Sequence, residues 1–332
     1  MKVHDIALVG AGRMGGLHAR NLALSPRFRL VGIADHNEKL AAELADELHT
    51  PVRSYGGILG DPLIEAVVVA SSTSSHLENV LLGLASGKAV FCEKPLSLDA
   101  DTLASALPDI EHAARPVFIA FNRRFDPNFR QIHDRIASGE MGQLETLHII
   151  SHDPAPPPID YVKVSGGMFK DMTIHDFDMA RWLLGEDPVE VYSAATAVID
   201  PAIGAAGDVD TAKILLRTAS GRICVISNSR RSGYGYDQRI EAFCAKGLLR
   251  AGNVLSSTVE SWGESGAKTD PLQNFFLDRY AGAYRAEMDH FSDILSSAVR
   301  PMIGYGDGLA ALAIAEAAME SHLESRTVAN QY

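Results

Sequence analysis

Short β-rich apolar runs alternate with stretches of helical spacing over roughly the first third of the chain. Residues 6–10, 28–34, 66–71, 89–92 and 117–121 read as strands, and 14–24, 38–48, 75–85 and 98–113 as helices. Such alternation implies parallel strands joined by right-handed crossovers, a doubly wound sheet. Val67, Val68 and Val69 are apolar at successive positions, as in a strand covered on both faces.

After a helix at 127–137 the pattern changes. Residues 144–152, 189–198, 211–218, 222–228, 238–244 and 247–250 read as strands, mostly joined by short turns. Gly221 and Lys246-Gly247 supply hairpin chemistry. Strands that follow one another without helices between them predict an antiparallel sheet, and so an α+β second half. Helices at 272–297 and 308–324 close the chain. The stretch Pro154-Ala155-Pro156-Pro157-Pro158 falls inside this half, where an ordered loop is expected rather than a linker.

Composition narrows the field. The 332 residues suffice for two domains with sizeable cores, and 46% hydrophobic with 22% charged is ordinary for a globular protein. Forty-two acidic against 30 basic residues leave a formal charge of −12, which argues against a nucleic-acid or anionic-membrane partner. No apolar run approaches the roughly 18 residues of a membrane span. The short run at 6–9 leads straight into glycines, as a strand does and a secretion signal does not. Cys92, Cys224 and Cys244, odd in number and without close spacing, predict reduced thiols and a cytoplasmic location.

The first chemistry lies at the end of the first strand. Gly10-Ala11-Gly12-Arg13-Met14-Gly15 offers a tight turn, a close backbone approach and close helix packing, the pattern that seats a pyrophosphate on a helix N-terminus. Asp35 follows Gly15 by twenty positions, at the end of the second strand, where a carboxylate binds ribose hydroxyls and repels the extra phosphate of NADP. NAD is therefore the expected cofactor. Asp35 also suits a helix cap, although Asn37 is better placed for that role. The loop Ser71-Ser72-Thr73-Ser74-Ser75-His76 leaves the third strand at its carboxyl end, placed to line the cofactor crevice. Ser74 or Ser75 is equally suited to cap the helix that follows.

Lys94 comes just after the fourth strand, between Glu93 and Pro95. Farther on, Asp171 and His175 stand four residues apart, a spacing that places both on one helical face. Oxidation of a secondary alcohol needs a base for the hydroxyl proton and a cation near the oxygen as it becomes a carbonyl. His175 suits the first role, Lys94 the second, and Asp171 could orient the imidazole or hold a hydroxyl. From the residues alone, Asp171 as the cap of a helix over 172–184 and His175 as an interior histidine remain open. A metal pair is a third reading, but no Cys/His cluster is spaced to complete a zinc site.

The glycine fingerprint, Glu93-Lys94-Pro95, and Gly166-Gly167 with Asp171 and His175-Asp176 together resemble the glucose–fructose oxidoreductase/inositol dehydrogenase family. Phe121-Asn122-Arg123-Arg124-Phe125-Asp126 and Ser151-His152-Asp153-Pro154-Ala155-Pro156-Pro157 are most similar to its inositol 2-dehydrogenase branch. The resemblance implies an N-terminal Rossmann domain over 1–122. Over 123–332 it implies an α+β domain with a large, open, mainly antiparallel sheet as the oligomer face, commonly of a homotetramer. Lys94, Asp171 and His175 are implied as the catalytic set, with His175 as acid/base. Arg123, His152, Asp153, Asp171, His175, Tyr236 and Tyr280 are implied to line the substrate pocket. Cofactor contacts are expected from Gly10, Gly12, Arg13, Met14, Gly15, Asp35, Ser72, Thr73, His76, Glu93 and Lys94.

The expected reaction is NAD-dependent oxidation of myo-inositol to its 2-keto form. Asn122 leaves the polyol preference open, so another inositol isomer or a sugar is the near alternative. Arg123-Arg124 keeps an acidic sugar in view through guanidinium binding. A non-catalytic NAD or sugar sensor is the alternative from another class.

Overall fold

The computed structural model describes residues 2–330. The chain divides into two compact units. The first takes the chain up to Asn122 and resumes over Tyr284–Leu312; the second is Arg123–Ala283 with the chain from Ala313 onward.

In the first unit β1 (His4–Val9), α1 (Arg13–Leu24), β2 (Phe28–Ala34), α2 (Glu38–Glu47), α3 (Tyr55–Leu59), β3 (Ala66–Val69), α4 (His76–Ala85), β4 (Ala89–Cys92), α5 (Ala100–Glu111) and β5 (Val117–Ile119) follow in order. All five strands are parallel, in the order β2-β1-β3-β4-β5. The chain moves outward from β1 to β2 and then back past β1 to β3, so the direction of winding reverses between β1 and β3. A ligand crevice opens at such a point, outside the carboxyl ends of the strands. β3 is buried at every position, in keeping with its unbroken apolar run. It and β5 end two residues earlier than the strands expected over 66–71 and 117–121, because the chain leaves the sheet there to form the loops of that edge.

Residues from late in the chain complete this unit. Phe291 packs edge-on against Phe91, with ring centroids 5.6 Å apart, and 6.2 Å from Phe118. The Tyr305 hydroxyl donates to Leu103 O at 2.6 Å.

The second unit begins with α6 (Pro127–Ala137), β6 (Leu144–His152) and α7 (Ile159–Val162). A π-helical turn at Phe169–Thr173 then runs into α8 (Ile174–Leu184). There follow β7 (Pro188–Thr196), α9 (Pro201–Ala205), β8 (Thr211–Thr218), β9 (Ile223–Ser229), β10 (Asp237–Cys244), β11 (Gly247–Ala251), the hairpin β12 (Glu260–Gly263) and β13 (Gly266–Thr269), and α10 (Phe276–Arg279). α11 (Ala281–Leu295) and α12 (Tyr305–Glu324) each contribute residues to both units, and β14 (Val328–Ala329) closes the described chain.

Seven strands form the large sheet, in the order β11-β10-β6-β9-β8-β7-β14. Every pairing in it is antiparallel except β6 with β9. The connection after β6 carries α7, the π turn, α8, α9 and the β7–β8 pair, long enough to bring β9 back in the same direction, which strand spacing alone did not foretell. β8 alternates strictly, with Ala212, Ile214 and Leu216 inward and Lys213, Leu215 and Arg217 outward. The inner face packs with α8, whose Phe177, Ala180 and Leu184 are fully buried. The outer face exposes Tyr192, Leu215 and Val225, directly opposite one another across β7, β8 and β9.

The helix expected over 272–297 breaks at Tyr280, between α10 and α11, and Arg279 ion-pairs there with Asp126. The expected helix over 172–184 starts as a π turn, and Asp171 lies inside that turn rather than capping it. The β12–β13 hairpin escaped the sequence reading because every residue in it is exposed, so it carries no hydrophobic alternation.

Candidate active site

The glycine fingerprint is shaped by steric need. Gly10 has φ +101°, and a Cβ there would lie 2.4 Å from Ser71 N, so the first and third strand-end loops touch across the crevice. A Cβ on Gly15 would come within 1.8 Å of Gly10 O. At Gly12 nothing stands within 4 Å of the missing Cβ. Gly12 is also the N-cap of α1, with no side-chain cap and no acidic residue in the first turn. Exposed Arg13 and half-buried Met14 begin the helix. Open space, uncapped N–H groups and the helix dipole fit the pyrophosphate of NAD.

Asp35 accepts the Ala11 N–H at 2.6 Å through Oδ2 and the Asn37 N–H at 2.7 Å through Oδ1. A carboxylate has about four acceptor positions, so lone pairs remain for a ribose diol. Asn37 caps α2, accepting the Leu40 N–H. Ser75 stands at the N-cap of α4 without capping it: its hydroxyl donates to Ser72 O at 2.9 Å and meets Ser71 Oγ at 2.8 Å. Ser72 is exposed and Thr73 half-buried at the start of that turn.

Two residues expected to contact the cofactor have their side chains engaged within the protein. His76 is buried, with Nδ1 2.7 Å from Pro95 O and Nε2 3.0 Å from Ser71 O. A neutral ring donates from one nitrogen to one of these carbonyls while the other nitrogen lies beside the second, so His76 braces the Lys94-Pro95 loop against the Ser71 loop. Burial pushes its pKa below the usual histidine value despite those carbonyls. Glu93 is also buried, with Oε1 2.6 Å from His18 Nε2 and Oε2 accepting the Lys94 N–H at 3.2 Å. Burial would raise its carboxyl, but the His18 hydrogen bond and the nearby cations bring it below the usual value. Glu93 thus anchors the backbone of Lys94, whose side chain is half-buried at the same edge. Glu287 on α11 is fully buried, and burial and the Glu93 charge push its carboxyl well up.

In the second unit Arg123 and Arg124 are both claimed by α8. Arg123 Nη1 donates to Asp176 Oδ1 at 2.5 Å and to Ser151 Oγ at 3.0 Å, and its guanidinium stands 5.7 Å over the Tyr280 ring. Arg124 spans Asp178 at 2.9 and 2.5 Å. With both charges balanced, the ground for reading this pair as an anchor for an acidic sugar is gone. Burial works against the Arg123 charge, yet its acidic and phenolic neighbours raise its pKa above the usual value.

Asp153, Asp171, Asp176, Arg123 and Arg230 form one electrostatic neighbourhood, in which burial pushes the Asp153 carboxyl up to about 6. Tyr236 and Tyr280 join it, their rings 6.1 Å apart and nearly perpendicular. The Tyr280 hydroxyl donates to Gln238 Oε1 at 3.2 Å, and burial pushes its pKa up to about 12. Asp171 accepts the Tyr161 hydroxyl at 2.8 Å. His175, half-buried, opens the first turn of α8 beside Asp176.

His152 stands on the other face of β6, although the Asp176 charge still reaches it. Successive strand residues face opposite ways, and Ser151 donates to Asp176 Oδ1 on the helix-covered face at 2.6 Å. His152 therefore turns to the outer face, with Nε2 3.1 Å from Ser227 Oγ and Nδ1 3.7 Å from Asp237 Oδ2. The expectation that it lines the same pocket is corrected by strand parity.

Sequence reasoning missed Arg230, Asp208 and Tyr161. Each lies just outside a regular element or on a single-turn helix, where no periodicity marks it. The paired acids Asp176 and Asp178, opposite the paired arginines, were the one available signal.

A dinucleotide cradle on a doubly wound unit, joined in one chain to a sheet-based unit with a buried acid–arginine–tyrosine cluster, defines a dinucleotide-dependent oxidoreductase. The family described as an oxidoreductase family with NAD-binding Rossmann fold matches residues 4–120, and the GFO/IDH/MocA C-terminal domain matches 129–250. The chain is 43% identical to the inositol 2-dehydrogenase of Rhizobium meliloti (strain 1021), over 97% of each protein. Its fold superposes on a crystal structure of a myo-inositol dehydrogenase from Corynebacterium glutamicum with a TM-score of 0.95, at 39% identity over 99% of both chains. A scyllo-inositol dehydrogenase from Lactobacillus casei, solved with NAD(H) and scyllo-inositol, gives 0.93 at 27% identity over the whole of both chains. The chain belongs to the GFO/IDH/MocA family and is an NAD-dependent oxidoreductase.

Proposed function

We propose that this enzyme oxidises myo-inositol at one secondary alcohol, giving 2-keto-myo-inositol. The observation that carries the reading is the 43% identity, over nearly the full length, to a relative named inositol 2-dehydrogenase. The second unit adds chemical support. Asp153, Asp171, Tyr236 and Tyr280 offer fixed donors and acceptors around balanced arginines, which suits a neutral ring of hydroxyls better than an anion.

NAD, when bound, supplies the acceptor for the hydride that leaves carbon. Gly10, Gly12, Gly15 and Asp35 hold its pyrophosphate and adenosine ribose. His175 takes the hydroxyl proton on an imidazole nitrogen, and Asp171 orients the ring or a neighbouring hydroxyl. The Lys94 ammonium, its backbone tied to Glu93, stabilises the oxygen as it becomes a carbonyl. The exposed row Tyr192, Leu215 and Val225 is the contact by which copies of the chain assemble as a homotetramer. A cytoplasmic location, where NAD is at hand, fits this reading.

The test is NADH formation with myo-, scyllo- and chiro-inositol, glucose and glucuronate. Turnover should be highest with myo-inositol and fall roughly 100-fold or more in His175→Ala and Lys94→Ala. Preference for scyllo-inositol would reassign the epimer. No turnover with any inositol or pyranose would end the proposal.

A further inference from the structure

Arg230, immediately after β9, is 1% exposed and is not used by the mechanism above. Its Nη1 stands 3.6 Å from Asp171 Oδ2 and its Nη2 3.5 Å from Asp208 Oδ2. Both distances are ion-pair separations, longer than good hydrogen bonds. Among the described residues, Arg230 Nε, Arg230 Nη2 and Asp208 Oδ2 are buried without a hydrogen-bond partner. A guanidinium has five donors, and burying it with donors unused is costly. A side chain held at that cost is held for its charge and its position.

The two carboxylates it bridges lie at the two ends of one segment. Asp208 Oδ1 accepts the Met168 N–H at 2.9 Å and occupies the space a Cβ on Gly167 would need, 2.9 Å away. Asp171 closes the segment from within the π turn, and its other oxygen accepts the Tyr161 hydroxyl. π turns recur at functional sites because they re-aim side chains.

We propose that Arg230 is a positioning residue: bridging Asp208 and Asp171, with Tyr161 holding Asp171 from the other side, it fixes the turn over 166–171 and thereby the aim of Asp171. The effect on turnover rests on the dehydrogenase reading above; the bridging itself does not. Asp171 in the π turn and Asp208 ahead of β8 face Arg230 directly, and its charge reaches Asp153 just past β6, which Arg123, Asp171 and Asp176 on α8 also influence. Arg123 is already paired with Asp176, so Arg230 answers Asp171 and Asp208 and is the stronger of the two cations that act on Asp153.

The experiment compares Arg230→Gln, Arg230→Lys and Tyr161→Phe in the full chain, with NAD binding and thermal melting as checks of folding. Arg230→Gln should lower kcat/KM for myo-inositol roughly 100-fold, the loss expected of a misplaced catalytic group. It should also move the acid limb of the pH profile upward, because Asp153 loses its largest neighbouring cation. Arg230→Lys should restore that limb but only part of kcat, since an ammonium cannot span two carboxylates as a fork does. Tyr161→Phe, at a half-exposed position, should lower kcat several-fold and leave the melting temperature unchanged.

Parental kcat/KM and pH profile in Arg230→Gln would overturn the proposal. If that variant does not fold, parental behaviour in both other variants overturns it. A measurement without substrate stands apart from activity: carbon-13 NMR of the aspartate side chains should show Asp153 titrating near 6 in the parent and higher in Arg230→Gln. An unmoved midpoint sinks the proposal even if turnover falls. If the parent oxidises no polyol, the dehydrogenase reading fails and the NMR result alone decides Arg230.

Discussion

Arg123 Nη1 lies 2.5 Å from Asp176 Oδ1, and both side chains are all but sealed from water. Asn228 Nδ2 donates to the other Asp176 oxygen at 2.7 Å, so the carboxylate is fully engaged. Removing one member of a buried pair strands the other, at a cost of about 3–5 kcal/mol. Asp176→Ala should lose stability on that scale in urea unfolding. A loss of less than about 1 kcal/mol would mean that water reaches the pair as it does at a surface.

Two of the fingerprint glycines, Gly15 and Gly12, are expected to separate stability from binding. Gly15→Ala drives a methyl into Gly10 O and should lower the melting temperature. Gly12→Ala meets no protein atom, so the fold should melt as the parent does while NAD affinity, read by calorimetry, falls at least tenfold. Equal NAD binding in Gly12→Ala would place the pyrophosphate elsewhere.

Asp153 carries a pH signature of its own. Burial outweighs the lowering effect of Arg230 and raises its carboxyl to about 6. A carboxyl raised in the folded state contributes stability that is complete below its unfolded value, about 3.9, and is lost as pH rises through its folded value. Asp153→Asn removes that dependence. Its melting temperature should therefore gain on the parent between pH 4 and pH 7, and its kcat/KM profile should lose any limb near pH 6.

Glu287 repeats the argument in the first unit. Among the described residues both its oxygens are buried without hydrogen-bond partners, and the carboxyl is pushed well above its usual value by burial first and by Glu93 second. With the carboxyl raised in the folded state, its stabilising contribution is lost as pH climbs through that raised value. Glu287→Gln keeps the shape and removes the titration, so the variant should melt later than the parent in alkaline buffer and nearly alike in acid. The reverse order would show that Glu287 is ionised in place.

Local chemistry and hydrophobic pattern agree at β2, β4, β6, β8 and α6, and those elements are legible to the residue. At α6, Asp126 caps and Pro127 opens the helix, a boundary written in two residues. The glycine fingerprint is legible for the same reason: steric demand at Gly10 and Gly15 admits no other side chain. What escaped depends on partners far away in the chain. Whether His152 faces α8 or the opposite side turns on which face of β6 is covered. Whether Arg123 is free for a substrate turns on Asp176, fifty-three positions later. His76 and Glu93 sit in the right loops, yet Pro95, Ser71 and His18 had already taken their polar atoms.

The aromatic contact of Phe291 with Phe91 and Phe118 sets an order of events during synthesis. A ribosome will have released the whole glycine fingerprint and all five parallel strands long before the residue that seals their apolar edge emerges. Until then Phe91 and Phe118 lack one of the rings that cover them, and a polypeptide terminated ahead of α11 keeps the glycine fingerprint without that cover.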